Sequence, residues 1–135
     1  GAIGEWLYQH VAGINIDPDL PGYKHVQLAP HPGGGLQNAK TEINTVYGKV
    51  SSAWRFENED FVYEVAIPAN TSATVTLPYA MAFKVKQNGT SLKPGFIQVG
   101  DNLQLSLGSG KYTFRYPASS LKNSMPLKKT TTANN

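Results

Sequence analysis

Residues 48–78, GKVSSAWRFENEDFVYEVAIPANTSATVTLP, contain three consecutive segments in which apolar and polar side chains alternate. A period of two is typical of strands with one buried and one solvated face. The short acidic linker 57–60 predicts a hairpin of antiparallel neighbours, in which Trp54 meets the apolar face of the second strand. Pro68 ends the second strand and Pro78 the third, because proline cannot donate to a strand ladder. The stretch therefore predicts a three-stranded β-meander.

The alternation also predicts which side chains of this meander are buried. The predicted inner faces are Val50, Ser52, Trp54 and Phe56 in the first strand, Phe61, Tyr63, Val65 and Ile67 in the second, and Ala73, Val75 and Leu77 in the third. Strands with one apolar face bury it against a second layer. We therefore expect these side chains to form the core of a β-sandwich.

Further extended segments flank the meander. They cover residues 23–29, 36–47, 83–86, 90–93, 96–100, 102–107 and 111–116. The weakly apolar series 36–47 suits an edge strand. Asn88-Gly89 tolerates the positive φ of a type I′ turn, which predicts a hairpin between the segments on either side. The fold class predicted from these patterns is all-β, an antiparallel β-sandwich of about eight to nine strands with one N-terminal α-helix.

That helix is predicted over residues 1–14, the only convincing helical pattern in the chain. Its apolar arc consists of Ile3, Trp6, Leu7, His10, Val11 and Ile14. Glu5 and Gln9 lie opposite this arc. Gly13 is a suitable terminator, and the proline-containing run 17–22 cannot continue a helix.

These patterns divide the chain into three parts. We predict a helix and linker over residues 1–22, a β-sandwich domain over 23–117 and a flexible tail over 118–135. The tail is rich in Ser, Thr, Asn and Lys, so we expect it to be poorly ordered unless Leu121 or Leu127 docks.

Composition narrows the possible functions. The 135 residues suffice for one domain with a sizeable core, and the absence of cysteine excludes disulfides and thiolate metal sites. The net charge is +3, but the basic residues do not form a stripe with aromatic residues between them, as they do in nucleic-acid-binding proteins. We therefore predict no nucleic-acid partner. No apolar run approaches the roughly 20 residues of a membrane span, so we predict no membrane partner. Because the chain opens with Gly1 rather than Met, we expect a piece of a longer polypeptide.

A series of short motifs resembles the C-terminal end of bacterial α-L-rhamnosidases. The matching pieces are EWLY (5–8), AGI (12–14), PGYKH (21–25), Pro30, PGG (32–34), the YG-V-S-W series (47–54) and the V-IP-NT-A-V-LP series (65–78). Each piece is ordinary alone, but their order and spacing are fairly specific. The resemblance covers most of the chain up to about Pro117.

The resemblance implies a position within a larger enzyme. In this family a catalytic (α/α)6 barrel precedes a small all-β domain, so residues 1–14 would be the last barrel helix and residues 23–116 the C-terminal sandwich. The family hydrolyses terminal α-L-rhamnosides with inversion, using an acid and a base carboxylate. By the resemblance both carboxylates lie upstream of Gly1, and a bacterial, periplasmic or secreted enzyme is implied.

We predict no catalytic residue within this chain. Paired carboxylates for glycoside hydrolysis must stand on separate walls of a cleft, with one of them desolvated. The acidic residues cluster instead at a predicted hairpin tip, as Glu57, Glu59 and Asp60, and around a proline, as Asp17 and Asp19. These positions are typical of solvated turns. The Asp17-x-Asp19 pair also lacks the glycine and terminal glutamate of a calcium loop.

We also predict no metal or cofactor. His10, His25 and His31 do not stand at helical ligand spacing from one another. His10 lies in the apolar arc of the predicted helix, where a hydrogen-bonded core histidine across the barrel contact is expected, and His25 is predicted to be interfacial. The glycine run 33–35 lacks the following helix and lysine that a phosphate site requires.

The aromatic side chains bear on sugar binding, which needs an exposed platform for stacking. The alternation buries Trp54, Phe56, Phe61, Tyr63, Phe114 and Tyr116, and leaves Tyr8, Tyr23, Tyr47 and Tyr79 as scattered candidates for exposed rings. Asn70-Thr71-Ser72 and Asn88-Gly89-Thr90 match glycosylation acceptors, but both are also good turns.

Two hypotheses follow for the function. The first is a non-catalytic β-sandwich that caps and stabilises the catalytic barrel of the same polypeptide. The second is a free-standing carbohydrate-binding or cell-surface module, which an exposed coplanar pair of aromatic rings would favour. Without the preceding helices, the apolar arc of residues 1–14 also predicts docking on the sandwich or self-association.

Overall fold

The computed structural model describes residues 14–15 and 25–124. The strands there are β1 (Ile14–Asn15), β2 (His25–Leu28), β3 (Asn38–Thr45), β4 (Gly48–Glu57), β5 (Asp60–Ile67), β6 (Ser72–Leu77), β7 (Lys86–Gln87), β8 (Thr90–Ser91), β9 (Phe96–Val99), β10 (Asn102–Leu107) and β11 (Gly110–Pro117). Two 3-10 helices, Ala82–Lys84 and Ala118–Ser124, complete the described part of the chain.

The strands form two sheets that share one hydrophobic core. The five-stranded sheet has the order β1-β2-β6-β10-β9, and the six-stranded sheet has the order β3-β4-β5-β11-β7-β8. The predicted all-β fold is confirmed in this sense. Ten of the strands in the described residues overlap segments that the sequence indicated as extended, and β1 is the exception. All strand pairs in the described residues are antiparallel as predicted except β2 with β6, which is parallel.

The three-stranded meander is half confirmed. β4 and β5 pair antiparallel from Glu57 opposite Asp60 to Ser51 opposite Ala66, as the short acidic loop predicted. β6, however, belongs to the other sheet, between β2 and β10. The chain changes layer at Pro68, which offers no N–H to continue the ladder, and at Asn70, which turns with φ 61°. Alternation identified β6 as a strand but did not specify its sheet.

The predicted helix over residues 1–14 is wrong at its last residue. Ile14 lies in β1, where it pairs with Leu28 and is 5% exposed. The remainder of the helix prediction, including Trp6 and His10, lies outside the described residues. A β-branched isoleucine fits the apolar pattern of a helix or of a strand, and here pairing at the edge of a sheet fixes its conformation.

The predicted core is confirmed around Trp54, which is 1% exposed. Its ring centroid lies 5.8 Å from that of Phe61, which in turn lies 5.4 Å from that of Tyr116. Tyr63 stands opposite Trp54 in the ladder, and its hydroxyl lies 2.6 Å from that of Ser52. This hydrogen bond satisfies two buried polar groups, and burial raises the pKa of Tyr63.

Three local predictions have different outcomes. The strand predicted over residues 83–86 is wrong at its start, because Ala82–Lys84 is a 3-10 helix that brings Val85 into the core, and β7 begins only at Lys86. The Asn88-Gly89 turn is confirmed, with φ of 52° and 85° between β7 and β8. Leu121 is 1% exposed. The sequence analysis expected the tail to be poorly ordered unless Leu121 or Leu127 docked, and Leu121 does dock.

Candidate functional site

The outer faces of the two sheets differ in charge. In the six-stranded sheet ten charged side chains lie on the outer face, and none of them is buried: Lys40, Glu42, Lys49, Arg55, Glu57, Asp60, Glu64, Lys86, Lys111 and Arg115. The strands of the five-stranded sheet contain no Asp, Glu, Lys or Arg. Charged side chains are depleted from the centre of protein interfaces, so the two faces suit different surroundings.

Two arginines bind the acidic side chains of the β4–β5 hairpin. Arg115 Nη1 lies 3.1 Å from Asp60 Oδ2, and its Nη2 donates to Glu57. Arg55 contacts Glu57 at 3.3 Å and Glu64 at 3.1 Å. Glu57 therefore joins both arginines in one network that crosses β4, β5 and β11.

This network favours the ionised form of Glu57. The hydrogen bond from Arg115, with a second from Arg55, lowers the pKa of Glu57 below its ordinary value. The general acid of a glycosidase needs the opposite shift, in which burial raises the pKa of a carboxyl group. Glu57 and Asp60, predicted as solvated turn residues, are thus paired with arginine, while Glu59 is exposed. Asp17 and Asp19 lie outside the described residues.

A buried residue outside the predicted inner faces lies between the two arginines. Val62 is fully buried, although its neighbours in the ladder are Arg55 on one side and Arg115 on the other. It does not belong to the main core. Long charged side chains shield apolar surface with their methylene groups while their heads stay in water. The sequence signal for the burial of Val62 was its position between two large side chains, Phe61 and Tyr63, within one strand.

A groove of about 590 Å³ lies on the same charged face. Small side chains of adjacent strands contribute to its lining, among them Ser51, Ala53 and Ala66. The charged side chains that line it are Lys40, Arg55, Glu64 and Lys111. Arg55 and Glu64 bind each other, so the groove presents a mixed polar surface.

The outer face of the five-stranded sheet contains a neutral polar network instead. His25 Nδ1 lies 2.7 Å from Ser72 Oγ, and its Nε2 lies 2.7 Å from Thr74 Oγ1. The parallel pairing of β2 with β6 brings these residues together, because His25 is in register with Ser72. Sequence analysis marked His25 as interfacial but could not identify its partners, which are distant in the chain. His31 is exposed, and His10 lies outside the described residues.

Exposed apolar side chains concentrate toward the β9 edge of the same sheet, on a region that we call the β9 surface and define as Met81, Ile97 and Val99. Their exposed fractions are 45%, 60% and 46%. Ile97 and Val99 stand opposite Gln104 and Asn102 and so share the outer face of the sheet. Among the described strands β9 is an edge of its sheet, with β10 as its neighbour. Sequence analysis did not predict an apolar surface here, although the run Phe96–Val99 was its signal.

The loop that carries Met81 is held in a strained conformation. Tyr79 has φ 51°, a value uncommon for a bulky residue. Gln98 Nε2 donates to the carbonyl of Ala80 at 3.1 Å, and the Tyr79 N–H donates to Asn102 Oδ1 at 3.4 Å. Both amide side chains come from the β9–β10 hairpin. The loop is therefore fastened to the end of the β9 surface.

A second pair of contacts anchors the start of the same loop. The Tyr116 hydroxyl donates to the carbonyl of Pro78 at 2.7 Å, and Ala80 is fully buried. The following turn presents Phe83, whose side chain is 77% exposed. A fixed backbone with exposed apolar side chains is typical of a preorganised contact surface.

The coplanar ring pair in the structure is not an exposed sugar platform. The rings of Tyr112 and Phe114 are stacked at 6.3 Å with an interplanar angle of 8°, but Phe114 is fully buried. Tyr47 and Tyr79 are half-buried and lie on different loops, while Tyr8 and Tyr23 lie outside the described residues. The observation that would favour a free-standing sugar-binding module is thus missing from residues 25–124.

Within the described ranges there is no group of three or more His, Asp or Glu side chains arranged to hold a metal ion. None of the helices described is both long and apolar enough to span a bilayer.

Comparison with sequence families places the chain among known domains. The family model for the bacterial alpha-L-rhamnosidase C-terminal domain matches residues 13–91. An alpha-L-rhamnosidase from Formosa agariphila is 39% identical over 69% of the chain, and one from Streptomyces avermitilis is 33% identical over 84%. The matches cover only 10% and 11% of those two proteins. The chain is therefore similar to a small part of each.

Solved structures give the same picture. The alpha-L-rhamnosidase from Dictyoglomus thermophilum superimposes with a TM-score of 0.72 at 27% identity, over 86% of this chain and 13% of the other. The alpha-L-rhamnosidase from Streptomyces avermitilis, solved with L-rhamnose, superimposes with a TM-score of 0.69 at 30% identity, over 84% and 11%. Both likenesses extend beyond a single sheet to most of the chain.

Proposed function

The chain belongs to the family of bacterial α-L-rhamnosidase C-terminal domains, and from this we propose that it is a non-catalytic β-sandwich that caps and stabilises the catalytic barrel of a larger enzyme. The parent enzyme would be an inverting glycoside hydrolase acting on terminal α-L-rhamnosides. The acid and base carboxylates would come from the barrel, on opposite sides of the sugar.

One observation carries the non-catalytic role. Glu57 and Asp60 of the β4–β5 hairpin are bound to arginine, and the pKa of Glu57 is lowered rather than raised. A carboxylate stabilised in its ionised form is a poor proton donor to a leaving group. The length of the chain also supports a non-catalytic role, because the chain spans about a tenth of the length of the relatives that it matches.

The proposal predicts that the 135-residue chain alone does not hydrolyse an aryl α-L-rhamnoside. The measurement is release of the aryl alcohol, with the complete Streptomyces avermitilis enzyme as positive control and an empty-vector preparation as background. Release above background that disappears in a Glu57→Gln variant would contradict the proposal and identify the hairpin as catalytic.

The stabilising role needs a separate experiment. Removing the corresponding C-terminal region from the Streptomyces avermitilis enzyme should lower the melting temperature of the remaining protein. An unchanged melting temperature would contradict a capping role while leaving the absence of catalysis intact.

A further inference from the structure

We propose that the domain packs against the barrel through the β9 surface and the adjoining uncharged outer face of the five-stranded sheet. This inference rests on the proposed function, since it names the surface by which the capping contact is made. The occupant is an apolar, uncharged region of the parent polypeptide's barrel.

Charge disfavours the six-stranded sheet as the surface that packs against the barrel. Burying an ion costs several kcal/mol unless a partner compensates it, as an order-of-magnitude figure. The six-stranded sheet would bring ten charged side chains into the contact; eight of them are already paired with one another, and Lys86 and Lys111, which are exposed, are in none of those pairs. The five-stranded sheet would bring none from its strands. Its hydroxyl and amide groups, such as Thr76 and Gln104, form hydrogen bonds across an interface without the desolvation cost of an ion.

Two of the four edge strands, β3 and β9, show the same contrast, while the opposite edges β8 and β1 are two-residue strands without charge. β3, at the edge of the six-stranded sheet, carries Lys40 and Glu42, charges of the kind that keep exposed edges from pairing with other chains. β9 carries no charge and no proline, and all its side chains are exposed. An unguarded apolar edge favours aggregation unless something covers it. A contact with the barrel would cover it.

The strained loop supplies a third, independent observation. Tyr79 holds a left-handed conformation that costs free energy, and three side chains maintain it: Tyr116, Gln98 and Asn102. Met81 directly follows this anchored segment, so it is presented on a backbone that is already ordered. A surface ordered in advance loses less entropy when it binds.

This chain is much shorter than the relatives that it matches, and this difference favours the barrel over a second copy of this chain as the occupant. The matched relatives carry about nine-tenths of their length outside the matched region, so a large covalently attached body is available at high effective concentration. A second copy would need to find the same surface by diffusion. Light scattering of the isolated chain separates these occupants.

The test is hydroxyl-radical footprinting read by mass spectrometry. The isolated chain is compared with a chimera in which residues 14–124 replace the corresponding domain of the Streptomyces avermitilis enzyme. We expect labelling of Met81, Ile97 and Val99 to fall several-fold in the chimera. Leu36 and Val46 are internal controls, because they are 46% and 83% exposed and lie next to strands of the six-stranded sheet.

Each outcome decides between the alternatives. Equal labelling of Met81 in both proteins, or protection of Leu36 and Val46 instead, would overturn the docking surface. Protection of the control residues would leave the capping function standing, whereas no protection anywhere would contradict both proposals. Dimerisation of the isolated chain that protects Ile97 would assign the surface to a second copy.

The comparison does not depend on the chimera folding. If the chimera is insoluble, the Streptomyces avermitilis enzyme and its isolated C-terminal region are footprinted in the same way. Protection at the positions that align with Met81, Ile97 and Val99 supports the proposal, and equal labelling there overturns it.

Discussion

The two sheets have similar inner faces and opposite outer faces. Inside, both present alternating apolar side chains to one shared core, for example Val65 and Val75, which are 3% and 0% exposed. Outside, one sheet carries ten charges and the other carries none on its strands. The inner face must be apolar because it forms the core, whereas the composition of the outer face can vary with what the sheet contacts. The difference therefore carries information about what each sheet contacts.

The largest expected effect tests whether inner and outer faces are assigned correctly. Trp54→Ala should lower the free energy of unfolding by about 3 to 5 kcal/mol, because it empties a large site that is 1% exposed. Chemical denaturation of the 135-residue chain measures this loss. A change below about 1 kcal/mol would mean that β4 is shifted by one residue, a slip that would turn its charged face inward.

A smaller effect is expected at the buried valine on the charged face. Val62→Ala should cost about 1 to 3 kcal/mol, since Val62 is fully buried among the arginine stems. Val46→Ala is the matched control, because Val46 is 83% exposed and its truncation should stay within about 0.5 kcal/mol. Equal losses in the two variants would show that the arginine stems do not shield Val62 in solution.

The charged face should also give the domain an acid-sensitive component of stability. Hydrogen bonds from Arg115 and Arg55 lower the pKa of Glu57 in the folded state. The resulting stabilisation is fully present above the unfolded pKa and is lost as the pH falls through the folded pKa. We expect the effect to be small, because the group is solvent-exposed and screened.

Urea midpoints between about pH 5 and pH 3 measure this component, with Glu57→Gln as the comparison. The parent chain should lose more stability than the variant as the pH falls. Identical slopes for the two proteins would mean that the arginine contacts of Glu57 do not persist in solution. The same titration in high salt should shrink the difference.

The sequence predicted the inner faces better than the arrangement of the strands. Alternation identified Trp54, Tyr63 and Phe114 as buried, because a half-buried strand leaves that pattern wherever it lies. It could not assign β6 to its sheet, since both sheets bury one face against the same core. The parallel pairing of His25 with Ser72 depends on a crossover of nearly fifty residues, which leaves no local signal.

The candidate surface was missed for a related reason. The sequence of Phe96–Val99 has the pattern of an ordinary strand. Its exposure follows only from its position at the edge of the five-stranded sheet. The positive φ of Tyr79 is imposed by hydrogen bonds from residues that are distant in sequence. By contrast, the positive φ of Asn88 was foreseeable, because Asn-Gly encodes that turn locally.

The most direct test of the contrast between the two faces inserts one positive charge on each. Gln104→Lys places it on the five-stranded sheet, and Thr113→Lys places it on the six-stranded sheet opposite Glu64. Melting temperatures are measured for each variant in the isolated chain and in the chimera with the Streptomyces avermitilis barrel. The account predicts that Gln104→Lys lowers the melting temperature more in the chimera than in the isolated chain, while Thr113→Lys behaves alike in both. A larger loss for Thr113→Lys in the chimera would contradict it.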